Sequence, residues 1–301
     1  HAQYVPAKGL EVTVQVTDVS GLQLSKAVSL EGDTSVRAAA LSFDRLNPLK
    51  RKVRKNPDAL ALIVGVAAYA NTTAKALYAD ADALTFRDYA SEKLGVPEGN
   101  IMTLINEEAD LGKVLLTVKD WLGRSSKPDQ SDIYIFFAGH GLASEDGEQM
   151  YLLPYDGRPE LLDKTAILRD ELFADIEAIN PRSVTVFLDT CYSGATRGTE
   201  MLVASRPIGL RALKQSIPEG FTVFSAAAGN ETSKPLTEAE HGMFSYFVMK
   251  GMEGEADENT DHQITAHELQ AYVRRHVVQQ SSGSQTPELQ GDKDRVLVRF
   301  Q

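Results

Sequence analysis

From residue 59 onward the hydrophobic pattern switches repeatedly between two periods. Short unbroken apolar runs, rich in Val, Ile, Phe and Tyr, read as strands buried on both faces. They fall at 59–66, 101–105, within 131–141, within 183–194, at 220–225 and at 296–300. Between them apolar positions return at helical spacing, as with Leu77, Leu84, Phe86, Tyr89 and Leu94. Helices are expected over 76–94, 111–122, 168–179, 244–252 and 266–279, the first stopped by Gly95-Val96-Pro97. Strands alternating with helices predict an α/β fold whose mostly parallel sheet is covered by helices on both faces.

The first residues follow another pattern. Leu10 to Thr17 alternates apolar and polar, the signature of a half-exposed strand, and 22–43 leaves room for one or two more. Lys50, Arg51, Lys52, Arg54 and Lys55 then crowd between Pro48 and Pro57, which reads as a solvated linker. The expected division is 1–57, a small β segment and basic linker, and 58–301, the main domain. The first part is a candidate pro-segment or the tail of an upstream domain.

Composition narrows the chemistry. The chain has 301 residues and one cysteine, which excludes an internal disulfide framework and a cysteine-rich zinc site. A net charge of −11 argues against a nucleic-acid surface, and no apolar run approaches the ~20 residues that span a bilayer. The lone cysteine, Cys191, ends one strand run, and His140 ends another. Ligands in open α/β sheets sit beyond the carboxyl ends of the strands, so neighbouring strands of this kind bring a thiol and an imidazole together. A histidine supplies the ion-pair partner a cysteine needs to react as thiolate, and later the proton for a leaving amine. Gly139 and Gly141 allow the sharp turn. The backbone N–H groups of Gly141 and Cys191 are the candidate oxyanion hole.

Phe137-Ala-Gly-His-Gly141 and Leu188-Asp-Thr-Cys-Tyr-Ser-Gly194 resemble the two catalytic motifs of the metacaspase-like branch of the caspase-like cysteine peptidases. The cysteine lies about 50 residues after the histidine, the spacing of caspases. The resemblance extends through Tyr78-Ala-Asp-Ala-Asp-Ala83, Phe224-Ser-Ala-Ala-Ala228, His241-Gly-Met-Phe-Ser245 and Gln285 to Asp292, covering about 58–301. Tyr192 stands where the family usually has His, and Ala138 where relatives often carry Ser. The resemblance implies a caspase-like (caspase-hemoglobinase) fold with a mostly parallel central sheet. It also implies a Cys191–His140 dyad, cleavage after Arg or Lys, and a monomer. Asp189, two positions before the cysteine and on the same side of its strand, is the expected S1 acid. Asp82 is the second S1 acid by position, with Asp80 as its fallback. Asp82 also reads as a first-turn helix acid favoured by the macrodipole.

A basic specificity turns Arg197, Arg206, Arg211 and Lys214, in the long stretch after Cys191, into candidate self-cleavage sites, and Arg54 and Lys55 likewise. The chemistry requires no cofactor. Calcium is a candidate ligand, because Asp257, Asn259, Asp261 and Glu268 fall at positions 1, 3, 5 and 12 of an EF-hand loop. His262 takes the place of its turn glycine, and Thr265 with Glu268 reads equally as a helix capping box. The expected partners are proteins or peptides with basic P1 residues, with no nucleic acid and no membrane. The cytoplasm is the expected compartment; secretion or a periplasmic location stays open because the chain begins at His1. The alternative to a peptidase is a caspase-like regulatory or scaffold module with latent catalysis. A small-ester hydrolase would need a Gly-x-Ser-x-Gly elbow, which the sequence lacks.

Overall fold

The computed structural model describes residues 43–144, 146–190, 217–229 and 231–301, and the strands 10–17 and 23–30. The chain divides into a unit ending at Phe43 and a larger unit from Asp44 to Gln301. In the first, β1 (Leu10–Thr17) and β2 (Gln23–Leu30) pair antiparallel, Leu10 against Leu30.

The larger unit is built on the apolar runs. β3 (Leu60–Gly65), β4 (Ile101–Ile105) and β5 (Asp132–Ala138) are joined by α1 (Ala79–Glu92) and α2 (Leu111–Leu116). Past α2 the backbone continues as a π turn over Thr117–Leu122, so the single helix expected for 111–122 is interrupted. A small antiparallel sheet follows: β6 (Gly141–Ala143), β7 (Met150–Leu152) and β8 (Ile167–Leu168). Helix α3 (Arg169–Glu177) leads into β9 (Ser183–Asp189), and β10 (Phe221–Ser225) follows. The rest of the unit holds β11 (Pro235–Leu236), β12 (His241–Gly242), α4 (Met243–Lys250), β13 (Gln263–Thr265), α5 (Ala266–Gln280), β14 (Glu288–Gly291) and β15 (Val296–Arg299).

The six-stranded sheet runs β14-β10-β9-β5-β3-β4, parallel except for the edge strand β14. Every residue of β3 and β9 is buried, as continuous apolar runs require of strands covered on both faces. Phe86 of α1 stacks on Phe136 at 4.3 Å, and Phe187 on Phe224 at 5.0 Å, giving the core an aromatic layer. Gly65 ends β3 where α1 crosses it: a Cβ there would lie 2.5 Å from the Ala83 Cβ and 2.6 Å from the Ala79 carbonyl oxygen. That approach holds the first turns of α1 against the sheet.

Two expectations change. The last strand, β15, leaves the central sheet and pairs with β13. The basic stretch expected as a solvated linker is fastened to the larger unit. Val53 bridges Phe300, the Arg54 N–H donates to the Arg299 carbonyl, and Lys55 Nζ donates to the Ser91 carbonyl at 2.8 Å. Arg51 pairs with Asp257 at 3.3 Å and lies over the Phe300 ring at 3.6 Å. These contacts place the stretch within the unit from Asp44 to Gln301. The reason is chemical: this face offers acids or carbonyls to the side chains of Lys50, Arg51 and Lys55. No helix among the described residues is long and apolar enough to cross a membrane.

Candidate active site

Strands β5 and β9 are neighbours, parallel and in register, with Ala138 opposite Asp189. Beyond Ala138 the chain turns through Gly139 and His140 into β6. His140 is 1% exposed. Its backbone N–H donates to the Tyr69 hydroxyl at 2.6 Å, and the Tyr69 ring stacks on the imidazole at 4.9 Å and 21°. Gly139 is needed because a Cβ would reach within 2.9 Å of the Tyr69 oxygen. The Gly139 N–H donates to the Asp189 carbonyl, fastening the turn to the neighbouring strand.

The register of β6 against β7 decides where Gly141 aims its N–H. The Leu153 N–H donates to the His140 carbonyl and the Ser144 N–H to the Gln149 carbonyl, and Gly141 faces Leu152. Antiparallel pairs alternate between bonded and non-bonded, so Gly141 and Leu152 form a non-bonded pair and the Gly141 N–H points out of the ladder.

Asp189 ends β9 fully buried. One carboxylate oxygen accepts the Ser233 hydroxyl at 2.6 Å and the other the Ser245 hydroxyl at 2.5 Å. Asp82 is also fully buried, in the first turn of α1, which Tyr78 enters in the left-handed region at φ 66°. Its carboxylate receives the Gly242 N–H at 2.9 and 3.1 Å and lies 2.8 Å from His241 Nδ1. The segment His241 to Ser245 therefore touches both acids, one at each end. Asp80 is turned elsewhere: it caps Ala81 and receives the Asn106 side-chain amide. Neither Ser233 nor Tyr69 was signalled by the sequence pattern, since each is an isolated hydroxyl-bearing residue far along the chain from its partner. His241 and Ser245 lay within a segment noted only for its family resemblance.

Cys191, Arg197, Arg206, Arg211 and Lys214 lie outside the described residues. Arg54 and Lys55 sit in the fastened stretch above. At the calcium candidate, Glu268 accepts the Thr265 N–H at 2.9 Å and Thr265 Oγ1 accepts the Glu268 N–H, a complete capping box. Asp257 pairs with Arg51, while Asn259 and Asp261 brace their own loop through Asn259 Oδ1 to the Asp261 N–H and Asp261 Oδ1 to the Gln263 N–H. His262 adopts φ 66°, the conformation an EF-hand gives to glycine. Among the described residues no three His, Cys, Asp or Glu side chains are grouped as a metal would need.

Residues 58–297 match the family model described as the caspase domain. The fold resembles that of protein GSU0716 from Geobacter sulfurreducens, with a TM-score of 0.56 and 18% identity over 81% of this chain and 100% of that one. It also resembles caspase-1 from Spodoptera frugiperda, with a TM-score of 0.51 and 14% identity over 88% of this chain and 99% of that one. No curated protein matches the chain in sequence.

Proposed function

Because the chain belongs to the caspase-domain family, we propose that it is a cysteine endopeptidase of the metacaspase-like kind, cutting protein substrates after Arg or Lys. The observation that carries this reading is the β5–β9 register. His140 and Cys191 follow the paired residues Ala138 and Asp189 by the same two positions, on adjacent parallel strands. In the proposed mechanism the Cys191 thiolate attacks the scissile carbonyl while His140 holds its proton and later delivers it to the leaving amine. The Gly141 N–H, turned out of its ladder, and the Cys191 N–H stabilise the oxyanion. Water then hydrolyses the acyl-enzyme with His140 as base. Tyr69 is a positioning residue: it holds the His140 backbone and stacks on its ring.

Asp189 and Asp82 are proposed to read the P1 side chain. The two serine hydroxyls that hold Asp189 add no positive charge of their own and orient its carboxylate. The segment 241–245 couples the two acids into one specificity element.

The test compares wild type, Cys191→Ala and His140→Ala on an Arg-terminated peptide amide. Turnover in wild type with background rates in both variants supports the dyad. Equal turnover in Cys191→Ala refutes it. Absence of turnover by the wild type, with no change in the protein's biological output in Cys191→Ala, would favour the latent regulatory module.

A further inference from the structure

At the opposite, amino-terminal end of the sheet lies a cavity of about 560 Å³. That falls within the ~300–1,000 Å³ of small-molecule sites. Arg54, Lys55, Lys93, Arg182, Arg295 and Arg299 line it against only two acids, Asp132 and Asp292. In a chain of net charge −11 such a concentration of cations is out of keeping with its surroundings. Concave clefts of one sign focus their field and raise the local concentration of the opposite ion.

The two acids do little to balance it. Asp132 already receives the Arg182 guanidinium on both oxygens, the Ser183 hydroxyl at 2.6 Å and the Asn56 side-chain amide at 2.8 Å. Asp292 is exposed and lies 3.6 Å from Arg295. Arg54 and Arg299 have no acidic partner among the described residues. Arg295 Nε is buried with no hydrogen-bond partner, and Lys93 is 1% exposed with its ammonium on the Arg51 carbonyl at 2.6 Å. Tyr134, 6% exposed, also lines the cavity and has no hydrogen-bond partner for its hydroxyl among the described residues. A buried polar atom such as Arg295 Nε is rarely left in this state without a ligand or water to satisfy it.

We propose that this cavity is a binding site for a small polyanion carrying two or more phosphate groups, held by Arg54, Arg295 and Arg299 with the Tyr134 hydroxyl as a neutral donor. Guanidinium groups bind phosphate oxygens bidentately, and three arginines lining one cavity favour an anion with several such oxygens over a single carboxylate. The site stands apart from the proposed peptidase chemistry. Tyr134 lies four residues before Ala138, the end of β5, about 13 Å at the ~3.3 Å rise of a parallel strand, and the turn that carries His140 comes only after that end. Binding is therefore read without any measurement of proteolysis.

The test is calorimetric titration of the full chain with inorganic pyrophosphate at low ionic strength, with sulfate as the control anion. The variants are Arg54→Glu/Arg299→Glu, on exposed arms that the core does not use, and Tyr134→Phe. Saturable pyrophosphate binding is expected, weakened at least tenfold in the double variant and about threefold in Tyr134→Phe, and weakening with added salt. Melting curves without anion check that each variant folds. If the double variant does not fold, the Tyr134→Phe shift decides alone. Absence of saturable binding by the wild type, sulfate binding as tightly as pyrophosphate, or unchanged affinity in the folded variants overturns the proposal.

Discussion

Tyr69→Phe isolates one contact on which the proposed histidine depends. The substitution keeps the ring that stacks on His140 at 4.9 Å and removes only the oxygen that accepts the His140 N–H at 2.6 Å. Both residues are buried, so no bulk water replaces the lost acceptor. A buried donor left without a partner costs about 1–3 kcal/mol. In a domain of some 250 residues, each kcal/mol lowers Tm by about 2–4 °C, so the variant is expected to melt about 2–12 °C lower. The turn can recover part of this by shifting the His140 backbone towards another acceptor. A displacement near 1 Å of a catalytic group costs about a hundredfold in rate. We therefore expect kcat on an Arg-terminated peptide amide to fall about ten- to a hundredfold, with KM changed less than about twofold. Thermal melts and steady-state kinetics on the same preparations measure both. A Tm within about 1 °C of wild type together with unchanged kcat would refute the reasoning, because the contact would then support neither the fold nor the histidine.

Gly139→Ala presses on the same hydroxyl from the other side, with a Cβ 2.9 Å from it, and is expected to lower kcat in the same way without touching the acids. Ser245→Ala removes a donor from buried Asp189 and should weaken kcat/KM for Arg substrates by about tenfold, the effect of roughly 1.4 kcal/mol from one charge-assisted hydrogen bond, read by kinetics across P1 residues. Lys93 is held down to about 8 from its ordinary 10.5, first by burial, against the pull of Glu253 and Glu92. The unfolded chain thus binds more protons at this site between those values, and stability should rise with pH across that window. Denaturant melts of Lys93→Met should lack that rise. Incubating wild type beside Cys191→Ala and sequencing new N-termini tests self-processing. Cuts are expected between Arg197 and Lys214 in wild type only, and not after Arg54 or Lys55, whose backbone and side chains are fastened to Arg299, Ser91 and Glu92.

The sheet was legible because its strands are covered on both faces, which writes them as unbroken apolar runs; Ile101–Ile105 was read to the residue. The edge strand Glu288–Gly291 was not, since a half-exposed strand of four mixed residues has no such run. The π turn at Thr117–Leu122 leaves the helical spacing of apolar residues nearly intact, so periodicity reads straight through it. At the candidate site, the sequence placed Asp189 at a strand end, His140 just past one and Asp82 in a helix's first turn, where the structure has them. It did not reach Tyr69, Ser233 or Ser245, because a hydroxyl's partner 44 to 71 residues away is set by tertiary packing alone. The contacts of the basic stretch 50–55 were hidden for a related reason: its charge pattern says solvent, and only the fold shows the acids and the carbonyl that meet Arg51 and Lys55.

The proposed enzyme is a thiol peptidase whose buried acids select a basic side chain. Its most direct test is kcat/KM for two peptide amides identical except for Arg or Asp at P1. Arg should be preferred by at least about a hundredfold, since an acidic side chain would meet two buried carboxylates. A preference for Asp, or equal turnover of the two, would contradict it.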